Sequence, residues 1–290
     1  MNNRPVPGRT PVDATQPLLL QSWHYRRKLL QIIKHAGAGH TGGGLSCLDI
    51  LNVLYNRILN VSPQALADPA RDRYVQSKGH CVEALYVVLA DRGYFPESQL
   101  FTLCQYQSHW VGHPTRKVPG VEQNTGALGH GLSMCVGLAL AAKLDSTGSR
   151  VFTLLGDGEL AEGSNWEAAM CAAHYRLDNL IAIVDRNTLQ ITGRTRDVCS
   201  SEPLESKFEA FGWQVEIVDG HDLEALTAVL RASRADKPTA ILADTTKGRG
   251  VSFMEGVVKW HHGVPNDDEY ARALSEIDTA IAQLRSDTDP

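Results

Sequence analysis

Two residues with hard oxygen donors stand 30 positions apart, Asp157 in Gly156-Asp157-Gly158 and Asn187 in Asp185-Arg186-Asn187. Each closes an apolar run, 151–155 before the acid and 180–184 before the amide, and both runs have the β-branched character of buried strands. Between them, residues 159–175 space Leu160, Ala168, Ala169, Ala172 and Ala173 as a helix would. A strand, a crossover helix and a parallel strand bring both carboxyl ends to one edge, where open α/β sheets bind ligands. The Asp157 carboxylate, the Asn187 amide oxygen and the Leu189 backbone carbonyl then offer three hard ligands to Mg²⁺, with phosphate oxygens completing an octahedron. This chemistry is a magnesium diphosphate site without a Walker loop. Gly156 and Gly158 permit a tight turn and a close approach of diphosphate at the start of the following helix. The plainer reading is that Gly-Asp-Gly is only a turn, with Asp157 as a helix cap.

Histidines supply the second set of reactive groups. His40 lies in AGAGHTGGGLS, a loop bare enough for an imidazole and the backbone to reach a ligand. His80 precedes an apolar helix, either as an ordinary neighbour of the cap or as a donor to phosphate at the helix start. His113 falls in a long loop over residues 105–133, and His261 and His262 follow Trp260 near the end of the chain. An imidazole with an ordinary pKa near 6.5 suits proton transfer at neutral pH.

The elements needed to hold these groups can be read in order. Residues 1–17 have no periodicity and form a flexible leader, and residues 18–290 form one domain. Helices are expected over 18–36, 46–59, 132–144, 159–175, 206–212, 223–232 and 270–284, with a further one after His80. Strands are expected over 73–76, 151–155, 180–184, 213–218 and 239–243. The alternation implies an α/β fold, a doubly wound and mainly parallel sheet with helices on both faces.

Composition narrows the function. The 290 residues are 43% hydrophobic and 21% charged, enough for a sizeable core, and carry a net charge of −5. The 28 Lys and Arg are scattered and leave no basic footprint for nucleic acid. No apolar run approaches the ~20 residues of a membrane span, and the amino end lacks a secretory core, so no membrane partner and a cytoplasmic location are expected. Six cysteines form no CxxC pair and sit mostly among apolar neighbours, so buried free thiols are expected rather than disulfides or a zinc site.

GDGELAEGSNWEAAMCAAHYRLDNLIAIVDRNTLQITG resembles the thiamine diphosphate signature and, more narrowly, its transketolase version, including Glu162 and Glu167; Arg186 departs from it. The His40 segment is similar to the GHPGGSLS stretch of transketolases, with Thr41 and Gly44 as departures. SKGHCVEALY around His80 also resembles the family, as does GHPTRKVPGVEQNTGALGHG, where Thr115 and His130 depart. KGRGVSFME followed by Trp260 resembles it too, and the spacing from Trp260 to Pro265 selects His261 over His262.

The resemblance, which covers residues 18–285, implies thiamine diphosphate and Mg²⁺ as cofactors. It assigns Gly156, Asp157, Gly158, Glu159, Asn187, His80 and His261 to cofactor binding, and Gly126, Ala127 and Leu128 to the cofactor's rings. It puts His40, His113 and His261 at the sugar, and Glu162 and Glu167 opposite a carboxylate that activates the aminopyrimidine. In the family that carboxylate lies on a second, pyrimidine-binding domain. The chain therefore reads as the N-terminal, diphosphate-binding subunit of a split transketolase, inactive alone. Two copies would join two copies of a C-terminal, pyrimidine-binding subunit, and the heterotetramer would transfer a two-carbon ketol unit from a ketose to an aldose. The sugar is expected to be phosphorylated or otherwise anionic. The alternatives are the alpha subunit of a 2-oxo acid dehydrogenase and a subunit that holds cofactor without catalysis.

Overall fold

The computed structural model describes residues 18–232 and 236–286; the leader expected over 1–17 lies outside them. The strands are β1 (Arg73–Gln76), β2 (Val151–Gly156), β3 (Leu180–Arg186), β4 (Leu189–Gln190), β5 (Gly193–Arg194), β6 (Gln214–Asp219) and β7 (Thr239–Asp244). The helices are α1 (Leu18–Ala36), α2 (Thr41–Val53), α3 (Val82–Asp91), α4 (Gly131–Leu144), α5 (Gly163–His174), α6 (Thr195–Val198), α7 (Leu204–Ala210), α8 (Leu223–Arg231) and α9 (Asp267–Ser286).

Five strands form one parallel sheet in the order β1-β2-β3-β7-β6, while β4 and β5 make a small antiparallel hairpin. β2 is buried along its whole length, as a strand covered on both faces must be. Its side chains alternate between two cores. Phe152 and Leu154 face a cluster built by α1, α2, α3, α8 and α9, whereas Val151 and Leu155 face one built by α4, α5 and α7. The expected doubly wound α/β architecture is thus present. Among the described residues no helix is long and apolar enough to cross a membrane.

Three boundaries differ from expectation for physical reasons. α2 begins at Thr41 rather than at residue 46, so the glycine run is helix and not loop. Those glycines allow close approach: a Cβ on Gly42 would lie 2.8 Å from the Trp260 carbonyl oxygen, and one on Gly43 would lie 2.6 Å from Cys81 Sγ. Intrinsic propensity is overridden by packing against the neighbouring segments. The helix expected over 159–175 is broken, because Glu162 adopts an extended conformation (φ −75°, ψ 124°) between a short 3₁₀ turn, Gly158–Ala161, and α5. Finally, β3 runs on through Asp185 and Arg186, since Gly156 pairs with Asp185 and Arg186 pairs with Asp244.

All six cysteines are free thiols. Cys47, Cys81 and Cys135 are buried, but Cys104 and Cys199 are exposed and Cys171 is half-buried, so burial is less general than composition suggested.

Candidate functional site

The carboxyl edge of the sheet opens into a cavity of about 290 Å³ between the ends of β1, β2 and β3 and the segment following β7. Asp157, Asn187 and Leu189 all line it, together with Gly126, Leu128, Gly156, Gly158, Glu159, His80 and His261. Two residues that spacing alone did not single out, Lys78 and Lys247, line it as well.

Asp157 is 4% exposed. Its two oxygens accept the backbone N–H groups of Gly158 (2.8 Å) and Thr188 (2.6 Å), which fixes the carboxylate across the ends of β2 and β3. Burial, and then the neighbouring Asp185, push its pKa up to about 6. No Lys, Arg or His among the described residues forms an ion pair with it, and its charge is favoured only by these two N–H groups and, from further away, by Lys78. Asn187 Oδ1 accepts Leu189 N–H at 3.1 Å, and the Leu189 carbonyl accepts Lys247 Nζ at 2.9 Å. One carboxylate, one amide oxygen and one carbonyl are a hard-oxygen set that fits Mg²⁺ with diphosphate. Among the described residues no three His, Cys, Asp or Glu side chains are arranged to hold a metal by themselves.

The chain turns tightly at Asp157 into the 3₁₀ segment Gly158–Ala161, but Gly156 and Gly158 are not in the left-handed region, so the turn does not demand glycine at either position. At Gly158 space is tight, because a Cβ there would lie 3.1 Å from both Gln190 Cβ and Oε1, so the Gln190 side chain would have to give by a few tenths of an ångström. Glu159 lines the cavity, but its carboxylate is taken up inside the protein. It accepts from Ser77 Oγ, from Gly129 N at 3.0 Å and from Gly156 N at 3.0 Å, tying the end of β2 to the segments carrying Ser77 and Gly129.

The histidines converge. His40 lies with its ring centroid 5.1 Å from that of His80, 6.2 Å from His113, 5.6 Å from His261 and 4.6 Å from His262. His80 and His261 stack at 5.3 Å. His113 is held close by Gly126, where φ is 146° and a Cβ would lie 2.8 Å from the imidazole Cδ2. His262 joins the cluster on its exposed side, whereas His261 is the one that lines the cavity.

Their basicity differs from the expected 6.5. Burial lowers His40 to about 4, with His80, His262 and His113 adding to the effect against an opposing pull from Cys81. Burial and then Lys247 lower His261 to about 3, and burial and then His80 lower His113. These rings are therefore neutral at pH 7 in the free chain. The Lys247 ammonium donates to His261 Nδ1 at 2.8 Å and so leaves the ring's proton on Nε2. Burial, and then Lys78, lower Lys247 to about 8. A site holding this many positive and potentially positive groups is prepared for an anion.

Glu162 and Glu167 do not reach the cavity and lie exposed at the start of α5. Ala127 is exposed beside Leu128 on the loop before α4. Arg186 departs from the family pattern but is placed by Asp244 (2.5 Å and 3.0 Å) and Glu205 (2.8 Å). The signal that could have exposed Lys78 and Lys247 is positional. Each follows the carboxyl end of a strand, as Asp157 and Asn187 do.

A family model described as transketolase, thiamine diphosphate binding domain, matches residues 23–278. The chain is 47% identical over 274 residues to one subunit of the apulose-4-phosphate transketolase of Phocaeicola vulgatus, covering 94% of this chain and 98% of that protein. It is 43% identical over 256 residues to a 6-deoxy-6-sulfo-D-fructose transketolase subunit of Clostridium sp., covering 87% and 93%. A solved transketolase of Pichia stipitis, an R525L mutant, superposes with a TM-score of 0.84 at 27% identity, covering 94% of this chain but 44% of that one. The chain thus spans nearly the whole of the subunit relatives and under half of that solved transketolase.

Proposed function

Because this chain belongs to the transketolase family as its thiamine diphosphate-binding domain, we propose that it is the diphosphate-binding subunit of a two-subunit transketolase. The reaction is transfer of a two-carbon ketol unit from a ketose to an aldose, with Mg²⁺ and thiamine diphosphate at the carboxyl edge of the sheet. The observation that carries this reading is the convergence of His40, His80, His113 and His261 on the edge that also bears Asp157, Asn187 and Leu189. Membership of this family speaks against the 2-oxo acid dehydrogenase alternative.

Thiamine diphosphate, when bound, supplies a nucleophilic carbon and an electron sink for carbon–carbon bond cleavage. The chain's own residues do the holding and the proton work. Asp157, Asn187 and the Leu189 carbonyl would hold the cation, and His80 and Lys247 would balance the diphosphate. Gly126, Ala127 and Leu128 would lie against the cofactor's rings. His40, His113 and His261, neutral in the free chain, would take protons from sugar hydroxyls. Their depressed basicity rises when an anion enters, since an opposite charge nearby favours the imidazolium.

The partner would be a pyrimidine-binding subunit, assembled two plus two. Its docking face would include exposed Glu162 and Glu167 and the apolar Leu144, Met170 and Tyr175 of α4 and the α5 end, which are 76%, 53% and 49% exposed. An obligate interface of this kind buries on the order of 2,000 Å² or more. The substrate class is a sugar with an anionic end, in keeping with the phosphate and the sulfonate in the relatives' names. Ketol transfer from xylulose phosphate is assayed with the chain alone and with the partner titrated in. Turnover is expected only in the mixture; full turnover of the chain alone, or a preference for pyruvate as donor, would refute the reading.

A further inference from the structure

Asp185 is fully buried at the end of β3, paired in register with Gly156, two residues before Asn187. Its carboxylate collects donors from four segments. Oδ2 accepts from Lys78 Nζ, from Ser46 Oγ at 2.6 Å and from Asn187 Nδ2 at 3.1 Å, while Oδ1 accepts from Thr245 Oγ1. Asn187 Nδ2 also lies 3.4 Å from Ser46 Oγ, which accepts from it while donating to Asp185. The Lys78 ammonium, itself 1% exposed, compensates the buried charge.

The consequence concerns the two ends of an amide. A side-chain amide is a donor at nitrogen and an acceptor at oxygen, and a hard cation takes only the oxygen. An ionised carboxylate can only accept, so the end of Asn187 that faces Asp185 must be the nitrogen. That leaves Oδ1 turned the other way, toward the Leu189 backbone in the segment that lines the cavity. We propose that Asp185 is a positioning residue: kept ionised by Lys78, it fixes the Asn187 amide so that Oδ1 is presented to the divalent cation of a diphosphate ligand. The inference rests on the diphosphate-site reading above. It adds that the cation's affinity is set partly by a carboxylate that never touches the cation, acting as an outer-shell partner.

The test is calorimetric titration of Mg²⁺, with thiamine diphosphate saturating, into the chain assembled with its partner subunit. Four proteins are compared: wild type, Lys78→Met/Asp185→Leu, Asn187→Ala and the triple variant. Replacing a buried ion pair by apolar residues is often neutral or stabilising, but the Ser46, Asn187 and Thr245 donors lose an acceptor, so the double variant should fold with a lowered thermal midpoint. Its Mg²⁺ affinity should fall by about 10- to 100-fold. In the Asn187→Ala background the same pair of substitutions should add little, less than about threefold, because the residue it acts through is gone. Lys78→Met/Asp185→Asn keeps the volume and a polar group but can turn either end of its amide to Asn187, and should weaken Mg²⁺ by roughly three- to tenfold; it decides the matter if the first double variant does not fold. Unchanged Mg²⁺ affinity in the double variant, or in Lys78→Met/Asp185→Asn where that variant is needed, overturns the inference. So does an equal loss with and without Asn187, which would assign the effect to Lys78 acting directly on the diphosphate. A wild-type assembly that takes up no Mg²⁺ with thiamine diphosphate would sink the diphosphate-site reading along with it, an outcome distinct from the other two.

Discussion

Thr41 Oγ1 donates a 2.6 Å hydrogen bond to the Gly263 carbonyl, 222 residues further along the chain. Gly263 N–H in turn donates to the Gly39 carbonyl at 3.2 Å, so the turn carrying His40 and the turn carrying His261 and His262 are fastened on both sides. Thr41 is one of the positions that depart from the family pattern, and its hydroxyl gives the departure a purpose. A single hydrogen bond of this kind contributes roughly 1 kcal/mol to stability. Its larger effect lies in geometry, because small displacements of positioned groups are costly in rate.

Thr41→Val keeps the shape and removes the donor. The variant should fold with a small loss of stability, about 1 kcal/mol, and lose roughly tenfold in ketol-transfer turnover in the assembled enzyme. Denaturant midpoints and steady-state rates measured together check this. An unchanged rate would mean that the two turns hold their positions without the bond.

His261 and His262 both approach His40, but their surroundings separate them. His261 lines the cavity, stacks on His80 and takes a proton-fixing hydrogen bond from Lys247, whereas His262 is exposed. His261→Ala should lose ~10²-fold or more in turnover, the usual scale for a proton-transfer group, and His262→Ala should lose less. A greater loss for His262 would reverse the assignment.

The placement of Asp157 and Asn187 is legible because apolar runs end where polar residues begin, and a parallel sheet has one productive edge. The histidines are legible as members of loops, though not their mutual distances or their lowered basicity, which depend on burial and on one another. Lys78 and Lys247 carry only the positional signal of following a strand, which does not separate them from solvated loop lysines until the sheet closes around them. The start of α2 escapes a local reading because glycine opposes helix in isolation, while Trp260 and Cys81 require it in the folded chain. Glu159 reads as a cofactor residue from its neighbours, yet three internal donors have a prior claim on its carboxylate.

Asp157→Ala removes the carboxylate of the proposed cation site. Without it the Asn187 and Leu189 oxygens alone face a diphosphate, and Mg²⁺-dependent binding of thiamine diphosphate should be largely lost by calorimetry on the assembled enzyme. In the free protein two effects oppose: relief of an acid pushed up to about 6 by burial and by Asp185, and loss of the hydrogen bonds from Gly158 and Thr188, so the net change in stability should be small. Wild-type affinity in the variant would remove Asp157 from the site.

Glu83 predicts a pH dependence of a different origin. It sits in the first turn of α3, 1% exposed; among the described residues its Oε2 has no hydrogen-bond partner, and the carboxyl accepts from its own and the His40 backbone N–H. Burial raises its pKa from 4.5 to about 8, so the folded chain carries it protonated at neutral pH. The folded value lies above the unfolded one. The stabilising contribution of the bound proton is therefore complete below about 4.5 and is lost as pH rises through about 8. At ~1.4 kcal/mol per unit of difference, the loss across that window is on the order of a few kcal/mol. Glu83→Gln replaces the acid with a neutral side chain of the same length that does not titrate. Urea midpoints of the two proteins should agree most closely near pH 5 and diverge in favour of the variant up to about pH 8, then run parallel. Other titrating groups cancel in the difference, so a gap that stays constant from pH 5 to pH 9 would show that Glu83 is ionised throughout and that burial does not hold its proton.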